Sequence, residues 1–190
     1  MTFAPTHLSM SRTLWPELKG SALRKTLLVL AGTALLALSA KIQIPFYPVP
    51  MTMQTLVVVL IGAAMGMRLG VATILLYLAE GAAGLPVFAG PVAGLAYLSG
   101  PTAGFLLGFV LAAAAAGYLA ERGWDRNLVG TFALMVLAAS LIYLPGLLWL
   151  GALFGADIAI TKGFLPFILG DLLKIALATV ILPVLWKIIR

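Results

Sequence analysis

The hydrophobic positions of the chain form six long apolar runs, which short polar or glycine- and proline-rich segments separate. A helix needs about 20 apolar residues to cross a hydrocarbon core about 30 Å thick, and most of these runs approach that length. We therefore predict an all-α integral membrane protein with six transmembrane helices in one bundle. Residues 1–22 would form an N-terminal tail and residues 23–190 the transmembrane domain, with helices at 23–40, 52–67, 69–79, 101–120, 127–153 and 163–189.

The basic residues between the runs predict the orientation. Nine of the twelve Lys and Arg residues fall in the N-terminal tail, at the 67–68 turn, in the 121–126 loop and at the C-terminus, whereas the opposite side holds only Lys41 and Lys162. Positively charged residues are enriched on the cytoplasmic side of membrane proteins. Both termini are therefore expected in the cytoplasm, and the basic N-terminal segment is expected to be a retained tail, because no credible signal-peptide cleavage site follows it.

Composition excludes several classes of protein. A chain that is 63% hydrophobic, with a mean hydropathy of +1.13, is not a water-soluble domain. The net charge of +6 is spread between the runs and forms no basic patch with aromatic residues, so nucleic acid is not an expected partner. With no Cys and a single His7, we expect no metal site and no cofactor. No catalytic motif supports an enzyme.

The third run is too short to cross the membrane. Its 11 residues reach only about 16 Å as a helix. The uncharged segment that follows, from Gly81 to Thr102, is rich in Gly and Pro, and irregular backbone at membrane depth is tolerated only where it is buried in protein or lines a cavity. We predict that this segment and the proline-rich connection from Ile44 to Pro50 are irregular outer loops that cap a ligand cavity. Alternatively, those prolines merely end one helix and start the next.

The sixth run contains two charged residues, Asp171 and Lys174. Charge at that depth costs about 2.5 to 3.5 kcal/mol per residue on insertion scales, so such groups often mark a ligand path. Residues three apart share one side of a helix. A carboxylate accepts N–H hydrogen bonds and an ammonium donates to carbonyl oxygen, so together they suit a neutral urea or amide. The alternative is an internal ion pair that joins the helix to the bundle.

Four further residues are candidates for the same binding site. Gln54 and Thr52 begin the second run, where Gln54 could donate to a ligand and Thr52 is the better candidate for a helix cap. Tyr97 could stack on a ligand ring, although tyrosine is common at membrane interfaces without a ligand. Glu80 could enter the site, but the headgroup region is the favoured location.

Four blocks of sequence resemble the BioY family, the biotin-specific substrate-capture subunits of energy-coupling-factor vitamin transporters. They cover the chain from about residue 41 to residue 179, in the order in which the family has them. The blocks are Pro48-Val-Pro50-Met-Thr52-Met-Gln54, then Tyr77-Leu-Ala-Glu-Gly81-Ala-Ala-Gly84-Leu-Pro86-Val87-Phe88-Ala-Gly90, then Gly100-Pro101-Thr102-Ala-Gly104-Phe, then Pro166-Phe-Ile-Leu-Gly170-Asp171-Leu-Leu-Lys174.

The resemblance implies a six-helix subunit of a bacterial cytoplasmic (inner) membrane that captures biotin from outside. It implies that Asp171 contacts the N–H groups of the ureido ring and Lys174 its carbonyl group. It further implies a transmembrane coupling (T) subunit and two ATPase (A) subunits as partners, or a homo-oligomer if the chain acts alone. The partner interface would lie near Thr33 and Ala37, where the family usually has an Ala-x-x-x-Ala motif.

One departure from the family leaves a contact unassigned. Family members often carry a polar residue in the glycine-rich connection, whereas residues 91–93 of this chain are Pro, Val and Ala. Glu80 or a backbone group would have to supply that contact. Two alternatives stay open: a capture subunit for another vitamin, and an intramembrane enzyme that uses Asp171 and Lys174 as acid and base.

Overall fold

The computed structural model describes residues 9–15 and 20–189, so His7 and most of the tail predicted at 1–22 lie outside the described residues. The described chain is mostly helical. Its α-helices are α1 (Met10–Leu14), α2 (Ala22–Lys41), α3 (Gln54–Met65), α4 (Met67–Ala82), α5 (Leu95–Leu98), α6 (Ala103–Ala120), α7 (Leu128–Phe154), α8 (Ala156–Gly163) and α9 (Ile168–Ile189). Single 3₁₀ turns at Trp124–Arg126 and Leu165–Phe167 precede α7 and α9.

Four helical stretches of the described chain are long and apolar enough to cross a membrane: α2, α6, α7 and the 156–189 stretch that contains α8 and α9. The expected helical membrane protein is therefore confirmed in this coarser form. α3 is apolar but has only 12 residues. The helix predicted at 69–79 is longer in the structure, because α4 begins at Met67 and continues through Gly81 to Ala82.

The connection predicted at 154–162 is wrong in its conformation, since α8 occupies most of it. Gly155 has φ +91°, a left-handed conformation that glycine adopts without strain, and it separates α7 from α8. Gly66, with φ +80°, makes the equally sharp turn between α3 and α4. These turns let consecutive helices pack against each other.

α6 lies at the centre of the bundle, in contact with α3, α4 and α7. Glycines bring the backbones together. A Cβ atom at Gly108 would lie 2.6 Å from the carbonyl oxygen of Ile142 on α7, and one at Gly62 of α3 would lie 2.6 Å from that of Ala113 on α6. Close approach of this kind is how helices associate in a membrane, where the lipid is as apolar as the side chains.

Two irregular segments lie at the same end of the bundle. The first is a hairpin, residues 43–52, in which β1 (Gln43–Ile44) pairs antiparallel with β2 (Met51–Thr52), with Gln43 opposite Thr52. The sequence analysis did not predict these strands. The second segment, residues 83–102, is called the cap below, and it contains α5. Its Gly94 N–H donates to the carbonyl oxygen of Gly81 at 2.9 Å, so the cap folds back onto the end of α4.

At the opposite end, a polar contact fixes the last turns of α9. The indole N–H of Trp186 donates to the fully buried carboxylate of Asp125 at 2.5 Å, and the guanidinium of Arg126 lies 4.3 Å from the centre of the Trp186 ring. A buried carboxylate needs such donors. α9, which carries Asp171 and Lys174, is thereby fixed to the turn before α7.

Candidate ligand-binding site

A cavity lies between the helices beneath the hairpin and the cap. It contains about 510 Å³ of empty space, part of which is open to the outside. Its walls are mostly apolar and aromatic, with a few hydroxyl groups, one amide and one ammonium group. They are formed by Val49, Pro50, Thr52, Gln54, Thr55, Ala89, Tyr97, Thr102, Phe105, Leu106, Phe109, Ile142, Tyr143, Phe167 and Lys174.

Lys174, which lines this cavity, forms a buried ion pair with Asp171. Each residue is only 8% exposed, and Nζ of Lys174 lies 3.0 Å from Oδ1 of Asp171. Lys174 also donates at 2.9 Å to the backbone oxygen of Thr52 and at 2.9 Å to Oγ1 of Thr55. An ammonium group has three N–H donors, so all of them have partners inside the protein.

Tyr143 is the site residue that the sequence analysis missed. Its hydroxyl donates a hydrogen bond to Oδ2 of Asp171, and its ring lies edge-on between Phe105 and Phe164. The signal available in the sequence was a tyrosine inside an apolar run, because a buried phenol usually finds a hydrogen-bond partner. Tyr143 lies on α7, 28 positions from Asp171. Only the fold brings the two together.

Gln54 and Thr52 belong to one hydrogen-bonded chain at the cavity wall. Oγ1 of Thr52 donates to the side-chain oxygen of Gln54 at 3.3 Å, the Gln54 amide donates to the Tyr77 hydroxyl at 2.6 Å, and that hydroxyl donates to the carbonyl oxygen of Val87 at 3.0 Å. Oγ1 of Thr52 also accepts from the backbone N–H of Gln54 at 3.2 Å, as a helix cap would. This series of hydrogen bonds joins the start of α3 to the cap.

Tyr97 reaches the cavity from the cap, and its ring stacks on Phe88 at 4.7 Å between centroids. Burial raises the pKa of Tyr97 above its ordinary value, so the hydroxyl stays neutral. Tyr47 is 82% exposed and lies away from the cavity lining.

Glu80 does not line the cavity. Its carboxylate accepts a hydrogen bond at 3.1 Å from the hydroxyl of Thr33 on α2, which joins α2 to α4. Thr33 is 3% exposed and Ala37 is half-buried against the core. Both residues of the predicted partner interface thus take part in packing within the bundle.

Residues 91–93 supply no polar side chain to the cavity. Pro91 and Val92 are exposed, and the cap reaches the cavity instead through Ala89, Tyr97 and Thr102. Among the residues the structure describes, no group of three or more His, Cys, Asp or Glu residues could hold a metal ion.

Comparisons with known proteins agree with this architecture. The BioY family model matches residues 10–190. A probable biotin transporter BioY of Pyrococcus horikoshii is 39% identical over 154 residues, which is 81% of this chain and 91% of the relative. The biotin transporter BioY of Thermotoga maritima is 39% identical over 158 residues, which is 81% of this chain and 92% of that relative.

A solved structure has the same fold. It is the crystal structure of the S-component for biotin from an ECF-type ABC transporter, with a TM-score of 0.75 and 23% sequence identity over 87% of this chain and 92% of that chain. The helical bundle with its partly open cavity therefore has the S-component fold. Its family and its apolar helices make it a multi-pass membrane transport protein and not an enzyme. The chain belongs to the BioY family.

Proposed function

We propose that this protein binds biotin in the cavity beneath the hairpin and the cap, and mediates its uptake as the S component of an ECF-type transporter. The observation that carries the proposal is the buried pair of Lys174, which lines the cavity, and its neighbour Asp171. The pair supplies an acceptor and a donor, which match the N–H and C=O groups of a ureido ring. The apolar walls suit the rest of the ligand. The names of the relatives support the choice of biotin.

Binding must exchange internal hydrogen bonds for bonds to the ligand. Lys174 already donates to Thr52, Thr55 and Asp171. A carbonyl oxygen of the ligand can replace either neutral acceptor without separating the two charges. Truncating one partner of a buried charged pair is costly, so the ion pair itself is expected to persist in the complex.

We further propose six membrane crossings with both termini in the cytoplasm of a bacterial cell, the chain lying in its cytoplasmic membrane. The distribution of Lys and Arg supports this orientation, which puts the hairpin and the cap outside. Coupling to a T subunit and two A subunits would supply the energy for uptake. A homo-oligomer is the expected form if the chain acts alone.

The first prediction tests the ligand. Protein purified in detergent is expected to bind biotin with a stoichiometry close to one in a calorimetric titration, and thiamine or riboflavin in excess should not compete. The donor and acceptor pattern of the site is the reason, since neither competitor has a carbonyl group flanked by two N–H groups. Tight binding of either competitor with none of biotin would assign a different ligand and overturn the proposal.

The second prediction concerns topology, and it uses the absence of cysteine from the chain. Ser99→Cys in the cap and Asn127→Cys before α7 both place a thiol at an exposed position. In intact cells a membrane-impermeant maleimide is expected to label the Ser99 variant alone. Both variants should react after lysis, which controls for thiol reactivity. Labelling of the Asn127 variant in intact cells would reverse the proposed orientation.

A further inference from the structure

Asp171 does not itself line the large cavity. It borders a neighbouring, smaller space of about 300 Å³, part of it open to the outside, whereas Tyr143 and Lys174 border both spaces. The Tyr143 side chain therefore stands between the cavity and the carboxylate. The Tyr143 hydroxyl therefore competes with a ligand in the cavity for Oδ2 of Asp171.

The two bonds of Asp171 differ in what their loss would cost. The bond from Lys174 to Oδ1 also neutralises the carboxylate, and breaking it would leave two buried charges unpaired. The bond from Tyr143 to Oδ2 comes from a neutral donor. An N–H group of a ligand can replace this hydroxyl and leave the carboxylate with the same number of donors and the same charge balance.

The surroundings of Tyr143 leave room for such an exchange. Besides the two internal spaces, its side chain borders a surface groove between α7 and α8 with about 1050 Å³ of empty space, part of it open to the outside. Phe105 and Phe164 contact the ring edge-on and no described hydrogen bond other than the one to Asp171 holds the hydroxyl. The ring can therefore shift toward this groove, and because the phenol oxygen moves with the ring, the shift carries the hydroxyl away from Asp171.

We propose that Tyr143 is a placeholder for the ligand: without ligand its hydroxyl satisfies Asp171, and on binding an N–H group of the ligand takes its place. Tyr143 is thus a positioning residue that sets how readily the site accepts a ligand. The inference rests on the proposed binding of biotin.

The test compares Tyr143→Phe with unmodified protein and with Tyr118→Phe, a matched loss of one phenol hydroxyl near the far end of α6. A hydrogen bond to a charged group contributes about 1.5 to 3 kcal/mol, so freeing Asp171 from this bond is expected to tighten biotin binding by about tenfold or more. The gain should appear in the association rate, measured by stopped-flow fluorescence. Tyr118→Phe should change neither the affinity nor the rate.

A hydroxyl that holds Asp171 in position for the ligand would give the opposite result. Weaker binding by Tyr143→Phe, or unchanged rate and affinity, would overturn the inference. If that variant does not fold, 3-fluorotyrosine at position 143 provides a second test that preserves the ring. Its hydroxyl is a stronger donor, so biotin affinity should fall below that of tyrosine, and an equal or higher affinity would contradict the proposal. Absence of biotin binding by unmodified protein would instead contradict the proposed function.

Discussion

A variant with Asp171 replaced by Leu and Lys174 by Met is expected to fold about as stably as the unmodified protein and to lose biotin binding. The pair is buried, and replacing a buried ion pair by apolar residues of similar volume is often neutral or stabilising by about 1 to 4 kcal/mol. The lost hydrogen bonds to the ligand involve charged groups, each worth about 1.5 to 3 kcal/mol, so affinity should fall by at least about a hundredfold. Thermal melting in detergent and a calorimetric biotin titration measure the two effects.

The single variants are the controls for this prediction. Lys174→Met leaves the carboxylate of Asp171 buried with only the neutral Tyr143 hydroxyl as donor, and breaking a buried pair in this way costs about 3 to 5 kcal/mol. We therefore expect it to melt at a lower temperature than the double variant. If the double variant unfolds as readily as the single variants, the pair serves to join α9 to the bundle. If the folded double variant binds biotin with unchanged affinity, Asp171 and Lys174 are not part of the binding site.

The sequence predicted the helices better than it predicted the site. Four of the six apolar runs match helices to within two residues at each end, because a long run of apolar residues has few alternatives in a membrane. The run at 69–79 was ended before the charged Glu80, whereas the Glu80 carboxylate accepts a hydrogen bond from Thr33 and α4 continues to Ala82. α8 was missed because Asp157 and Lys162 gave its sequence the polarity of a loop.

Within the site, contacts between neighbouring residues of one helix could be predicted from the sequence, and contacts between different helices could not. Asp171 and Lys174 are three residues apart on one helix, so their pairing follows from helical geometry. The contact of Tyr143 with Asp171 joins α7 to α9, and the bond from Gln54 to Tyr77 joins α3 to α4. Such contacts depend on how the helices pack, which no local spacing encodes. For the same reason, the sequence left open whether Glu80 lies in the binding site or in the headgroup region.

The second large effect is expected on the rate of biotin release, and it comes from changing one glycine beside the cap. Gly81→Ala is expected to release bound biotin at least about tenfold faster while the bundle stays folded. A Cβ atom at Gly81 would lie 2.0 Å from Cζ of Phe88, so the ring has to leave its place. Phe88 is 1% exposed and lies edge-on to Tyr77 and stacked on Tyr97. When the Phe88 ring is displaced, the cap loses the apolar packing that holds it on α4. Loss of a buried aromatic side chain is costly in proteins generally.

The rate measurement separates this effect from a general loss of stability. Dissociation is followed by chasing bound labelled biotin with excess unlabelled biotin. Gly151→Ala is the matched control, because a Cβ atom at that position of α7 would meet its nearest neighbour at an ordinary 3.8 Å and the rate should not change. Adding Phe88→Leu to Gly81→Ala shortens the side chain that clashes with the new Cβ atom. If the double variant releases biotin more slowly than the two single effects together predict, the effect of Gly81→Ala comes from this contact. Slow release by Gly81→Ala itself would mean that the cap does not retain the ligand.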